Sequence, residues 1–202
     1  MDFPAARDCI LNRLRCELDQ RLIYHSHAHT MDVYCASVEL SRLEQLPEEH
    51  QQLIGTAALF HDAGMLTGYE DHEERSAGLA TELLPLFQYS DEQIDRIIRM
   101  ILSTRFPQQA STLPERILCD ADLDYLGRSD FLINSLQLRL EWNLFRIKTY
   151  TLSEWFLLQE EFLKRHTFQT ESASALRRKG KQQNLEMIRR LNRPEVKQVN
   201  QL

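Results

Sequence analysis

Glycine and proline are scarce in this sequence, which contains six of each among its 202 residues. No stretch alternates apolar and polar residues over the length of a strand, so nothing in the sequence requires β-strands. Apolar residues recur instead at the three- and four-residue spacing of amphipathic helices. We therefore expect an all-α protein, folded as a single helical bundle.

Long apolar runs and a basic leader are also missing. Runs such as TAALF and IIRMIL are far too short to span a bilayer, and the N-terminus has no basic segment followed by an apolar one. We therefore expect a cytoplasmic protein without a membrane partner. The four cysteines are isolated in the sequence, with no CxxC pair, which argues against a zinc knuckle or a redox motif.

Apolar periodicity and start signals predict where the helices lie. The first predicted helix spans residues 8–22, the second 27–46 and the last 170–191. No change of composition marks a domain boundary, so we expect one domain over residues 1–202. Three helix starts carry a side chain that can form a reciprocal cap with the residue three positions later. The pairs are Asp71 with Glu74, Ser90 with Gln93, and Thr151 with Glu154.

The net charge of −6 hides a basic segment near the C-terminus, where residues 164–193 contain nine lysines and arginines against two glutamates. This segment predicts a basic amphipathic helix packed on the body. Arg177, Arg178 and Lys181 are candidates to hold the phosphates of a ligand. The alternative is that they form the solvated face of the helix. The rest of the chain is acidic, and aromatic residues are not interleaved with the charges, which disfavours a nucleic acid as partner.

Histidines and aspartates cluster in three short stretches. Imidazole and carboxylate groups together are typical ligands of divalent metals, and a helical scaffold can supply them from several helices at once. The stretches are YHSHAHTMDV, with His25, His27 and His29; LFHDAGM, with His61 and Asp62; and ILCDADLDYLG, with Asp120, Asp122 and Asp124.

Taken in this order, the stretches resemble the HD superfamily of metal-dependent phosphohydrolases. The superfamily pattern is a histidine, a His-Asp pair and a distant aspartate, all on helices. The resemblance implies an HD-type core at about residues 20–130, followed by a helical extension at about 131–192. It also implies a divalent cation, with Mn, Mg, Co, Ni and Fe as the candidates. The implied ligands are His29, His61, Asp62 and Asp122, and Asp120 is the alternative to Asp122.

The stretch YHSHAHTMDV is similar to a segment of the cyclic-nucleotide phosphodiesterases, which belong to the same superfamily. The match implies that His25 donates a proton to the leaving oxygen, or else that it supports or caps its neighbours. Ser26 departs from the asparagine of those enzymes. Side chains two residues apart on a helix differ in direction by about 200°, so we expect His27 to point away from the site. Asp32 is a candidate to hold the second ring nitrogen of His29.

His72 and Glu73, in DHEERSA, lie where relatives place further site residues. The resemblance implies His72 as a ligand of a second metal and Glu73 as a group that positions the attacking water. The alternative for His72 is an exposed position in the first turn of a helix. Ser103 and Thr104 stand where some binuclear relatives carry histidine, so we do not expect a complete two-metal cluster made only of protein ligands.

Two functions of different class fit these motifs. The first is a phosphodiesterase or phosphomonoesterase that acts on a nucleotide or a related small phosphorylated compound, with metal-activated water as the nucleophile. The second is a regulatory or interaction module that binds nucleotide or metal without turnover, and a homo-oligomer is compatible with either. An open coordination position beside His25 favours the enzyme, whereas a site closed by protein ligands favours the module. Oxygenase chemistry at a di-iron site requires more histidine ligands than we expect here.

Overall fold

The computed structural model describes residues 1–192, and every regular element in that range is helical, which confirms the prediction of an all-α protein. No helix among those residues has the length and apolar character that crossing a membrane requires. The helices of this part of the chain are α1 (Phe3–Glu17), α2 (His27–Leu43), α3 (Glu48–Phe60), α4 (His72–Leu83), α5 (Asp91–Ser103), α6 (Leu113–Asp122), α7 (Phe131–Leu144), α8 (Leu152–Arg165) and α9 (Glu171–Asn192). Short 3₁₀ segments follow α3, α4 and α6, at Ala63–Leu66, Leu84–Phe87 and Asp124–Gly127.

Reciprocal caps set the start of three helices. Both hydrogen bonds of the cap are present in two of the predicted pairs, so these predictions are confirmed. The pairs are Ser90 with Gln93 at α5, and Thr151 with Glu154 at α8. A third cap, between Thr112 and Glu115 at α6, was not predicted. In each case a side chain satisfies a backbone N–H that the first turn leaves without a partner.

The first helix lies earlier in the chain than predicted. It begins at Phe3 because Asp2 accepts a hydrogen bond from the backbone N–H of Ala5 at 3.1 Å, and because Pro4 suits a first turn. It ends at Glu17, where the backbone becomes extended. The predicted bounds of 8–22 are therefore wrong at both ends.

The predicted cap between Asp71 and Glu74 is also wrong. Asp71 adopts the left-handed backbone conformation, with a φ of 48°, and makes no capping hydrogen bond. The guanidinium group of Arg105 binds both carboxylates instead, and its distance to Asp71 is 3.0 Å. A charged partner from beyond the end of α5 thus replaces the local cap that the sequence pattern predicts.

Two apolar clusters hold the bundle together. Fully buried members of the larger cluster, among α1 to α6, include Ile10, Leu40, Ile54, Phe60 and Ile97. The smaller cluster lies where the last three helices meet the end of α6, and includes Tyr24, Tyr125, Leu126, Phe131, Leu163 and Ile188. The rings of Tyr24 and His29 pack with centroids 4.7 Å apart, so the smaller cluster adjoins the predicted site.

The C-terminal helix α9 packs closely against the 3₁₀ segment that follows α6. A Cβ atom at Gly180 would lie 1.9 Å from the carbonyl oxygen of Gly127, so the two backbones touch at this crossing. Asn184 donates hydrogen bonds to the carbonyl oxygens of Leu126 and Arg128, at 2.9 and 2.8 Å. A small residue and a buried amide therefore fix the predicted basic helix on the body.

We expect Gly180→Ala to lower the free energy of unfolding by about 1–3 kcal/mol, the usual cost of overpacking a close contact. Urea denaturation followed by circular dichroism measures the change. Gly78→Ala in α4 is the matched control, because a Cβ atom there has no neighbour within 4 Å. Alanine is favoured over glycine inside a helix by about 0.5–1 kcal/mol, so the control should gain stability. Equal losses in both variants would contradict the close crossing.

Candidate metal centre and active site

Four predicted ligands converge although they come from three separate helices. His29 lies in the first turn of α2, His61 and Asp62 directly follow α3, and Asp122 is the last residue of α6. Nε2 of His29 lies 3.3 Å from Oδ1 of Asp122 and 3.5 Å from Oδ2 of Asp62. Nε2 of His61 lies 3.1 Å from Oδ2 of Asp62 and 3.7 Å from Oδ1 of Asp122. The structure therefore brings all four side chains around one point.

Asp62 also faces a second group with its other oxygen. Its Oδ1 atom lies 3.5 Å from Nε2 of His72, and this nitrogen lies 3.5 Å from Oε1 of Glu73. His25 belongs to the same group, because one of its ring nitrogens lies within 4.8 Å of the facing atoms of Asp62 and His72. Asp62 is thus shared between two groups of potential ligands, one for each carboxylate oxygen.

Three atoms that face the first group are buried and have no hydrogen-bond partner. They are Nε2 of His29, Nε2 of His61 and Oδ2 of Asp62. Polar atoms inside proteins are almost always hydrogen-bonded, so three convergent exceptions require an explanation. A divalent cation between them would accept all three lone pairs, and imidazole with carboxylate suits Mn, Fe, Co or Ni. The residues present therefore fit the metal that the family resemblance implies.

Backbone carbonyl groups hold two of the histidines in the orientation of metal ligands. Nδ1 of His61 lies 2.8 Å from the carbonyl oxygen of Ala58, and Nδ1 of His72 lies 3.2 Å from that of Tyr69. When Nδ1 donates its proton to a carbonyl oxygen, Nε2 is left with a free lone pair. Both imidazoles thus present a ligating nitrogen towards Asp62.

The charges of the site shift the pKa values of its members. Burial alone would raise the pKa of Asp62, but the charges of His61 and His25 outweigh it and hold that pKa well below its ordinary value. Burial also opposes ionisation of Asp122, but the neighbouring imidazoles of His29 and His61 lower its pKa to about 2. Both carboxylates are therefore ionised, and they require compensating positive charge from protonated histidines or from a metal.

Glu141 in α7 holds His25, and no motif in the sequence predicts this role. Its side chain is fully buried, and its Oε2 accepts hydrogen bonds from the backbone N–H groups of Tyr24 and His25 at 2.8 and 3.0 Å. Its Oε1 pairs with Nδ1 of His25 and accepts the hydroxyl of Tyr69 at 3.0 Å. The one signal in the sequence is a lone acidic residue in the otherwise largely apolar stretch LRLEWNL.

Both groups open onto a cavity of about 480 Å³. Five of the predicted site residues line it, and these are His25, Asp62, His72, Glu73 and Asp122. Most of the other lining residues come from α7, α8 and the loop between them. Aromatic rings dominate this surface, with Tyr24, Tyr69, Phe106, Tyr125, Trp142, Tyr150, Trp155 and Phe162. The sequence shows no aromatic motif here because the rings come from distant parts of the chain.

Asp120 and Asp32 serve other parts of the fold. Asp120, the alternative ligand, accepts hydrogen bonds from the backbone N–H and the hydroxyl of Thr170, at 2.8 and 2.7 Å. It therefore anchors the segment that leads into α9. Asp32 accepts a hydrogen bond from Nη2 of Arg128 at 2.7 Å. The expectation that Asp32 holds His29 is wrong, because the nearby guanidinium group is the stronger partner.

The predicted phosphate-binding residues of the basic helix do not line the cavity. Nε of Arg177 donates a hydrogen bond to the buried carboxylate of Asp124 at 2.6 Å. Nζ of Lys181 donates to the carbonyl oxygen of His166, and Arg178 is exposed to solvent. The structure therefore does not bring Arg177, Arg178 and Lys181 to the metal-ligand groups. Two of them fasten α9 to the body, and Arg178 alone of the three matches the alternative of a solvated helix face.

Comparisons with known proteins agree with this geometry. A family model for the HD domain matches residues 27–124. An uncharacterized protein of Clostridium beijerinckii is 30% identical over 111 residues, covering 48% of this chain and 70% of that protein. A predicted HD superfamily hydrolase from an uncultured Thermotogales bacterium is 24% identical, with a TM-score of 0.62, and the match covers 91% of this chain and 90% of that one. Bacillus subtilis YpgQ in complex with ADP is 19% identical, with a TM-score of 0.68 and coverage of 97% and 99%.

Residues 27–124 place the chain in the HD-domain superfamily, as its motifs implied. This is a superfamily of metal-dependent phosphohydrolases, and the histidine and aspartate groups described above are its candidate metal ligands here. The matched residues include both groups except for His25. Glu141 and the cavity surface of α7 and α8 lie beyond the residues that the family model matches.

We expect His61→Ala and Asp62→Ala to lose a divalent cation that the unaltered protein binds. Elemental analysis of protein purified without chelator measures the metal content, and thermal melting with added Mn²⁺ measures its effect on folding. A cation that binds only the folded state should raise the Tm of the unaltered protein but not of either variant.

His50→Ala is the matched control for metal binding, because His50 lies in α3 and belongs to neither group. It should keep both the metal and the rise in Tm. Full metal content in both site variants would contradict the assignment of the ligands.

Proposed function

We propose that this protein is a metal-dependent phosphohydrolase that cleaves a phosphoester of a nucleotide or a related small phosphorylated compound. The observation that carries the proposal is that Asp62 and Asp122 belong to the metal-ligand groups and also line the cavity. A metal held by them would be accessible from the cavity, whereas a structural metal is closed off by protein ligands. This accessibility favours an enzyme over a module that binds without turnover.

The residues divide the chemistry between them. His29, His61, Asp62 and Asp122 would hold the metal. When bound, a divalent cation lowers the pKa of water and balances charge on the phosphoryl oxygens. Glu73 lines the same cavity, and its carboxylate positions the attacking water. Displacement at phosphorus leaves an oxygen that needs a proton, and Nε2 of His25 supplies it.

Glu141 supports His25 as the proton donor. A carboxylate on Nδ1 fixes the ring and stabilises the imidazolium, so that Nε2 carries a proton towards the cavity. A carboxylate also pairs with Nδ1 of many histidines whose Nε2 binds a metal. In that alternative, His25 and His72 would together bind a second metal. We assign the donor role because His25 occupies the place of the proton donor in the segment that resembles the cyclic-nucleotide phosphodiesterases.

The lining of the cavity supports a nucleotide as the substrate. Bases of any sequence stack on aromatic side chains, and aromatic rings dominate this surface. Lys148 is the one lysine or arginine among the described residues that line the cavity, so it is the candidate to bind a phosphate remote from the metal. The protein shares its fold with Bacillus subtilis YpgQ, whose structure is a complex with ADP.

We expect the purified protein to hydrolyse at least one member of a panel of nucleoside monophosphates, nucleoside triphosphates and cyclic nucleotides, in the presence of Mn, Mg, Co or Ni. His61→Ala and Asp62→Ala should lower kcat/KM by about 10³-fold or more, because each removes a group that acts in the transition state. Chromatography of the products measures the rates and distinguishes monoester from diester cleavage. His50→Ala serves as the control, and full activity in both site variants would refute the proposal.

Glu141→Gln tests how the proton is delivered. With a poor leaving group such as a ribose hydroxyl, kcat should fall by about 10²–10⁴-fold, the usual contribution of a general acid. With p-nitrophenol as the leaving group, which departs without a proton, kcat should stay close to that of the unaltered protein. Metal content should be unchanged.

Glu161→Gln is the control for this experiment, since Glu161 is an exposed glutamate on α8. It should have no effect on either substrate. An equal loss with both leaving groups, together with loss of metal, would assign Glu141 and His25 to metal binding instead.

A further inference from the structure

Helix α8 presents one buried amide to the aromatic cavity. Trp155, Gln159 and Phe162 all line the cavity, and their spacing of four and three residues places them on one face of the helix. Gln159 is 5% exposed, and its amide oxygen is buried without a hydrogen-bond partner. Nearly all buried polar atoms have a partner, so an unpaired acceptor in a cavity wall indicates that a ligand supplies one.

The chemistry of an amide limits what that ligand is. A glutamine side chain presents an acceptor beside a donor whichever way the amide is turned. It therefore matches a flat ligand edge on which an N–H group lies beside an acceptor. Nucleic-acid bases carry such edges, and glutamine binds adenine through a pair of hydrogen bonds in this way.

Aromatic rings beside Gln159 supply the surfaces on which a base could stack. The ring centroids of Trp142 and Trp155 lie 5.5 Å apart, and those of Tyr150 and Trp155 lie 5.9 Å apart. Trp155 is fully buried and its Nε1 donates to Ser135 at 2.9 Å. This ring therefore supports the partly exposed rings of Trp142 and Tyr150 from behind. The aromatic surfaces accept any base, whereas the amide of Gln159 can distinguish one base from another by hydrogen bonding.

We propose that the cavity between α7 and α8 holds the base of the nucleotide, and that Gln159 selects bases whose edge carries an N–H beside an acceptor, such as the amino edge of adenine. This inference rests on the proposed function and deepens it by naming the residue that determines specificity. Gln159 lies beyond residues 27–124, so the matched core supplies the metal site and the later helices supply the choice of substrate.

Tryptophan fluorescence can test the proposal without any hydrolysis. The chain contains two tryptophans, and both Trp142 and Trp155 line the cavity, so their emission reports its occupancy. The ligands are adenosine, purine riboside, which lacks the exocyclic amine, and ribose. None of them carries a phosphate. Adenosine should bind at least about ten-fold more tightly than purine riboside, because a site built for a hydrogen bond rejects a ligand that lacks it. Ribose should leave the emission unchanged.

Gln159→Leu should bind adenosine and purine riboside equally. Its Tm should be unchanged or higher, because the substitution removes an unpaired buried polar group, whereas loss of a structural glutamine would lower the Tm. Gln108→Leu is the matched control. Gln108 also lines the cavity, but its Nε2 donates to the carbonyl oxygen of Cys119 at 3.3 Å and its Oε1 lies 3.5 Å from Nε2 of Gln169. The control should keep the preference for adenosine.

Equal affinity of the unaltered protein for the two nucleosides, or no binding of adenosine, would overturn the inference, and neither result requires a folded variant. A preference that persists in Gln159→Leu would overturn it as well. Hydrolysis of nucleotides without any base preference would reject this inference alone. A base preference without hydrolysis would reject the proposed function alone.

Discussion

The buried carboxylate of Asp62 joins the two histidine groups of this protein, and the arrangement of the site depends on it. An ionised carboxylate inside a protein is costly unless a positive charge or several hydrogen bonds compensate it. Helix α3 nevertheless carries Asp62 inwards, because its second half, from Leu53 to Phe60, is entirely buried. One oxygen of Asp62 faces His61 and His29, and the other faces His72. A cation in this position would compensate the buried charge that the fold imposes.

A second buried carboxylate, Glu141, connects the later helices to this centre. Its contacts to Tyr24, His25 and Tyr69 join α7 to the segment before α2 and to the loop before α4. The orientation of His25 therefore depends on a helix outside residues 27–124, the part that the family model matches. In the same way, the cavity over the metal ligands is completed by α7 and α8. The superfamily core brings the ligands together, and the extension shapes the space in which a substrate would lie.

The candidate metal ligands stand out in the sequence because each comes from a short motif in which residue type and order carry the information. The His-Asp pair follows an apolar helix, and the aspartate Asp122 ends another, so local patterns place them. Glu141 and Gln159 carry no such pattern. Glu141 is 116 residues from His25 in the chain, and only the packing of α7 brings them together. The importance of Gln159 likewise depends on the cavity around it, which is formed by rings from many segments.

Where prediction failed, a charged partner from elsewhere in the fold outweighed a local pattern. Asp71 has the sequence of a helix cap, but Arg105 binds it. Asp32 lies one turn from His29, but Arg128 binds it. Arg177 has the sequence of a basic surface residue, but it pairs with the buried Asp124. A sequence shows the charge of each side chain without showing its distant partner, and charge-assisted hydrogen bonds are strong enough to decide the outcome.

X-ray absorption at the metal edge of the Mn²⁺- or Co²⁺-loaded protein tests most directly whether the histidines and aspartates of α2, α3 and α6 share one cation. The arrangement of His29, His61, Asp62 and Asp122 predicts scattering from imidazole rings together with oxygen ligands around the metal. A coordination sphere made only of oxygen, without imidazole, would contradict it.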